Sequence, residues 1–118
     1  MDTLELVLRR VTLRELRLLQ AVARSGSILK AASEIGLTQP ALSKSIRELE
    51  ATFGVRLFDR NNRGVSVTPQ GEILLRRATG VFEELRQAVD ELQSLADAAR
   101  GEVRLGGTPA VCAGLLPH

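Results

Sequence analysis

The chain contains no tryptophan and no tyrosine, and only three of its 118 residues are phenylalanine. A core must therefore come from aliphatic side chains and alanine, which suits packed helices better than a sheet sandwich. A single cysteine, Cys112, excludes an internal disulfide and fits a reducing, cytoplasmic setting; it reads as apolar filler. A single histidine, His118, leaves almost no material for a His/Cys metal site or a His-based triad. Nor do His, Cys and carboxylates cluster at a workable catalytic spacing, so neither an enzyme nor a bound metal or cofactor is expected in this chain. No apolar run approaches the ~18 residues of a membrane span. The opening MDTLELVLRR lacks the basic start and small-residue cleavage site of a secretory signal, and no membrane partner is expected.

What is present is an ordinary folding composition, 44% hydrophobic and 25% charged. The net charge of +2 hides an asymmetry. Residues 1–67 hold eleven Lys/Arg against seven Asp/Glu, and residues 68–118 hold five against seven. A basic first half joined to a mildly acidic second half directs attention to nucleic acid at one end only. A solvated basic face explains the charge alone equally well, so pattern has to decide.

Residues 1–11 read as a loose lead-in, with Leu4, Leu6, Val7 and Leu8 offering a helix as the alternative. Thr12 and Glu15 fit a capping box, and Leu13, Leu16, Leu19, Val22 and Ala23 follow at helical spacing until Ser25-Gly26. Ser27 caps a second helix whose inner face is Ile28, Ala31, Ala32 and Ile35. Gly36 supplies the left-handed residue of a tight turn, and Thr38 caps a third helix with Pro40 in its first turn. Leu42, Ile46, Leu49 and Phe53 are its inner stripe, and Gly54 closes it. Residues 55–60 and 65–67 alternate around Asn61-Asn62-Arg63-Gly64, a small hairpin with a basic tip. Glu50 is placed to pair with Arg60 of that hairpin.

Thr68-Pro69 then opens a long helix. Leu74, Ala78, Val81, Leu85, Ala88, Leu92, Leu95 and Ala99 alternate spacings of four and three, an unbroken heptad stripe. About 30 helical residues span roughly 45 Å, too long to bury that stripe against so small a domain. The expected cover is the same helix of a second chain; packing on its own domain is the plainer alternative. Residues 101–118 read as the first strand and helix of a larger α/β domain.

The third helix begins with groups suited to a DNA groove. Gln39 matches adenine edges, Lys44 guanine, Pro40 a thymine methyl, and Ser43 is a short adaptable partner. Arg63 at the hairpin tip suits a minor groove. Ser27, Thr38 and Thr68, at helix N-termini, and Arg47, one turn beyond Ser43, are the candidate phosphate contacts. Ser27, Thr38 and Thr68 also serve as simple caps, and lysine or arginine alone is often only a solvated charge.

Over roughly residues 12 to 99, without a gap, the chain resembles the N-terminal region of LysR-type transcriptional regulators. The run TQPALSKSIRELE, then GVRLFDR, then TPQGE carries the resemblance, and GEVRLGG…LLP is similar to the start of that family's effector-binding domain. The resemblance implies a mainly α fold, a winged helix-turn-helix over residues 1–67. A linker helix over 68–100 pairs with its mate, and a truncated effector domain follows over 101–118. It implies a sequence-specific regulator of transcription, activator or repressor, bound to double-stranded DNA at an inverted repeat. The assembly is a homodimer, or a tetramer at full length, and a small-molecule effector belongs to the full-length protein. Two departures stand out. The lead-in before Thr12 is longer than usual, and Lys44 stands where the family often has arginine, which removes a bidentate fork. The rival reading is a winged module that binds protein and dimerises through the heptad helix. Its outer face on the third helix would carry apolar anchors, whereas this one carries Gln, Ser, Lys and Arg.

Overall fold

The computed structural model describes residues 2–101. The strand and helix expected beyond Gly101, Cys112 and the effector-domain segment lie outside them. The order of elements is α1 (Thr3–Arg10), α2 (Leu13–Ser25), α3 (Ile28–Ile35), α4 (Gln39–Phe53), β1 (Phe58–Asn61), β2 (Gly64–Val67) and α5 (Pro69–Ala99). Two compact units divide between Ala78 and Thr79. The first thus runs past the boundary expected at Val67, because the opening turns of α5 belong to it.

The lead-in is a helix. Asp2 caps α1 by accepting from the Glu5 N–H at 2.9 Å, and Arg9 and Arg10 sit in its last turn, where cations complement the helix dipole. It packs on α4 with Leu6 and Val7 half-buried, leaving Leu4 and Leu8 exposed. Val11 and Thr12 separate it from α2. There both halves of the capping box are present: Glu15 N–H to Thr12 Oγ1 at 3.2 Å, and Thr12 N–H to the Glu15 carboxylate at 2.9 Å. Leu13, expected in the core, is exposed because it occupies the first helical position, ahead of the buried face.

The core joins α2, α3, α4 and the residues entering β1: Leu19, Val22, Ala31, Ala32, Leu42, Ile46, Leu49, Leu57 and Phe58 among them. Each fully buried Leu or Ile adds about 1.5–3 kcal/mol over exposure. The small Ala31 and Ala32 let α3 approach its neighbours closely. Gly36, at φ 75°, closes α3, and the Leu37 N–H returns to the Ala32 carbonyl at 2.9 Å. This fixes the turn that launches α4.

The hairpin is shorter than the alternation suggested. Pairing starts at Phe58↔Val67 and ends at Asn61↔Gly64. Residues 55–57 are kept out of the ladder by Glu50. Its carboxylate accepts from the backbone N–H of Leu57 at 2.8 Å and of Phe58 at 3.3 Å. The expected Glu50–Arg60 pair is therefore replaced by bonds to backbone. Arg56, not Arg60, makes the ion pair in this stretch, with Asp59 at 3.5 Å.

Thr68 binds the hairpin exit to α5. Its hydroxyl donates to the Arg56 carbonyl at 2.6 Å and accepts from the Gly71 N–H at 3.0 Å, while its own N–H donates to the Leu57 carbonyl at 3.0 Å. Gly71 is buried against that segment, and a Cβ there would strike the Leu57 carbonyl oxygen.

α5 divides the heptad stripe. Leu74 packs half-buried against the core, and Ala78 is 1% exposed within the chain. These two positions, expected in a partner seam, are used by the chain's own fold, because α5 is anchored there by Thr68 and Gly71. Further along, Val81, Leu85, Val89 and Leu92 are exposed apolar residues, Leu85 at 43% and Leu92 at 52%. Ala88 and Ala99 are also exposed, and Leu95 is half-buried.

Candidate nucleic-acid interface

The surface begins at two caps. The Ser27 hydroxyl accepts from the Lys30 N–H at 3.1 Å, and Thr38 Oγ1 accepts from the Ala41 N–H at 3.2 Å. Each hydroxyl keeps its own proton to donate, at a helix start where the dipole favours anions. Beyond Thr38, α4 opens with Gln39 half-buried and Pro40 exposed, and Lys44 and Arg47 follow on the solvent side. No acidic residue lies between Gln39 and Arg47. The inner stripe of Leu42, Ile46 and Leu49 is no more than 1% exposed and sets the rotation of this face.

Ser43 departs from the expected exposed face. It is 4% exposed, and its Oγ accepts from Gln39 Nε2 at 2.9 Å. It sits one turn after Gln39, so the longer side chain folds back over it. Thr68 departs further: it is 6% exposed, and both its N–H and its O–H are spent inside the fold. No donor remains for a phosphate.

Arg63 is exposed at the hairpin tip. The turn is held by the Asn61 side chain, which accepts from the Arg63 N–H at 2.8 Å. The same end of the hairpin is tied to the α2–α3 turn. The Val65 N–H donates to the Gly26 carbonyl at 3.1 Å, and Gly64, at φ 128°, lies where a Cβ would collide with that oxygen. The recognition helix and the tip arginine thus belong to one braced body.

Between α4 and β1 lies a cleft of about 220 Å³ lined by Ile28, Ile46, Arg47, Glu50, Arg56, Phe58 and Arg60. Three guanidinium groups rim it, and the one carboxylate is bonded to backbone. Arg56 and Arg60 were missed as part of this basic surface. Their only sequence signal is their place in the alternation of GVRLFDR, one residue before Leu57 and two after Phe58, the backbone partners of Glu50, and that reads as strand patterning. Among the described residues no group of His, Cys, Asp or Glu is arranged to hold a metal ion, and no helix is long and apolar enough to cross a membrane.

Residues 13–72 match the family described as bacterial regulatory helix-turn-helix protein, lysR family. The regulator PcaQ of Agrobacterium fabrum is 39% identical over 109 residues, covering 92% of this chain and 35% of that protein. The regulator TdcA of Escherichia coli K12 is 47% identical over 87 residues, covering 74% of this chain and 28% of that protein. The chain thus spans about a third of the length of the curated relatives it matches. Among solved structures, the BenM DNA-binding domain in complex with catB site 1 DNA superimposes with a TM-score of 0.70 at 32% identity. That match covers 75% of this chain and 96% of the other. The CbnR DNA-binding domain in its DNA complex gives 0.68 at 30% identity, covering 73% and 99%.

Proposed function

The chain belongs to the LysR family of bacterial regulatory helix-turn-helix proteins, and from that premise we propose that it is the DNA-binding and dimerising part of a transcription regulator. One observation supports this reading above the others. The first three turns of α4 present Pro40, Lys44 and Arg47 outward over a sealed apolar stripe, and Arg63 stands exposed at the hairpin tip. Base edges carry sequence information and phosphates set register. Gln39, Pro40 and Lys44 are assigned to the major groove and Arg63 to the adjacent minor groove. Ser27, Thr38 and Arg47 are assigned to the backbone, and Thr68 is withdrawn from that set.

The exposed run from Val81 to Leu92 is assigned to a second copy of the chain, joined by Ala88, Leu95 and Ala99. A homodimer would present two α4 helices to the halves of an inverted repeat. At full length, a further domain would bind a small-molecule effector in the cytoplasm and bias how the assembled protein sits on its operator. Assembly beyond the dimer belongs to that longer protein.

The test is equilibrium binding to the upstream region of the protein's own gene across a range of salt. Several phosphate contacts require log K to fall steeply with log salt, by about 0.9 per phosphate neutralised. A flat dependence would sink the proposal. Gln39→Ala should relax discrimination at one base pair by about 1–3 kcal/mol; equal weakening on every sequence would remove Gln39 from the base-reading set.

A further inference from the structure

Resting on the DNA-binding reading above, we propose that Ser43 is a positioning residue for Gln39, not a base contact in its own right. Together the two present an edge that selects adenine over guanine. The side chains stand four residues apart, on neighbouring turns of one helix face. Gln39 Nε2 donates to Ser43 Oγ at 2.9 Å, and Ser43 is 4% exposed beneath it. In this arrangement the serine hydroxyl is out of reach of a base, whereas the glutamine amide is at the surface end of the pair.

A primary amide carries two N–H donors and an acceptor oxygen. The serine takes one N–H. One N–H and the Oε1 lone pairs remain, a donor and an acceptor on adjoining atoms. Adenine offers the complement in the major groove, the N7 acceptor beside the N6 donor, while guanine offers two acceptors, N7 and O6. An unrestrained glutamine can turn both N–H groups toward guanine; one held by Ser43 has a single N–H to give. The hydroxyl also restricts a long flexible side chain before DNA arrives, which favours the bound state entropically.

The plainer role, an i,i+4 bond that only supports α4, makes a different prediction. The 118-residue chain would be assayed on a selected operator and on variants carrying each base at the position where Gln39→Ala loses discrimination. Ser43→Ala should cut the preference for adenine over guanine roughly tenfold. Its affinity for random DNA and its salt slope should stay as in the parent. Ser43→Thr, which keeps the hydroxyl, should restore the preference, and the double variant should match Gln39→Ala alone. An unchanged preference in Ser43→Ala, or losses that add in the double variant, overturns the proposal. If the parent chain shows no sequence preference at all, the DNA-reading premise falls. The pairing is then judged on the free protein, where the Gln39 side-chain amide should exchange with solvent more slowly than in Ser43→Ala. Equal rates overturn it.

Discussion

The backbone at Gly64 lies so close to Gly26 that any side chain on the first would meet the carbonyl oxygen of the second, and the Val65 N–H bonds that same oxygen at 3.1 Å. Gly64→Ala should therefore lose stability twice, through the collision and through a positive φ that alanine resists. A loss of about 1–3 kcal/mol is expected from strain of this kind. Denaturant unfolding measures it, and an unchanged midpoint would mean the hairpin tip shifts freely.

Glu50 gives a second prediction. Its carboxylate receives the N–H groups of Leu57 and Phe58. Glu50→Ala leaves both without a partner and should cost about 1.5–3 kcal/mol, the range for bonds to a charged group. Glu50→Gln keeps an acceptor and should cost less. Amide exchange at Leu57 and Phe58 reports the change directly; protection equal to the parent in Glu50→Ala would contradict the assignment.

Thr68 and Arg47 separate fold from interface. Thr68→Val removes a helix cap and should cost about 1–2 kcal/mol of stability without altering the salt dependence of DNA binding. Arg47→Ala should leave stability within about 0.5 kcal/mol, as for an exposed residue, and lower the magnitude of the salt slope by about one. The reverse pairing would return Thr68 to the phosphate set.

The stripe on α5 should divide in the same way. Leu85→Glu introduces charge at a position that is exposed in the single chain, so it should abolish the proposed dimer in sedimentation while leaving helicity intact. Leu74→Ala removes a side chain half-buried against the core. It should cost about 1–2 kcal/mol and leave the dissociation constant of the dimer nearly unchanged. Equal dimer loss in both variants would extend the seam back to Leu74.

One prediction concerns pH. Hydrogen bonding to Arg86, and secondarily its charge, holds the Glu83 carboxyl below its ordinary range. Arg86 also bonds Asp90 at 2.8 Å, so three side chains on successive turns of α5 are linked. A lowered folded-state pKa means support that is present above the unfolded value and lost as pH falls through the folded one. Helicity should hold at neutral pH and decline on acidification below about pH 4, where free glutamate titrates. Arg86→Ala should flatten that decline, as read by circular dichroism; an identical acid profile would show that the pair contributes nothing.

Much of the fold was legible because it depends on local spacing. Thr12 with Glu15, Ser27, and Thr38 announce helix starts through residues three positions away, and each cap is present. The stripe of Leu42, Ile46 and Leu49 likewise follows from helical period alone. What was hidden depends on partners distant in sequence. Thr68 reads as a cap, but its second bond runs to the Arg56 carbonyl, twelve residues back. Glu50 reads as an ion-pair candidate, yet nearby backbone donors take it. Leu74 and Leu85 are equivalent in a heptad, and periodicity does not say which surface covers each. Ser43 is a matter of side-chain direction: spacing placed it beside Gln39, and the longer residue lies over the shorter.

The bond from Val65 to Gly26 also sets a length. It holds the start of the helix-turn-helix and the hairpin in one rigid piece, so the separation between Gln39 and the tip at Arg63 is a property of the protein and not of the DNA it meets. On the proposed assignment of α4 to base edges and Arg63 to the adjacent minor groove, an operator can vary its letters but not the interval between those two sites. Inserting one base pair in that interval turns the two sites by about 34° relative to each other, given 10–10.5 base pairs per turn. Such an insertion should weaken binding more than any single base change within either site.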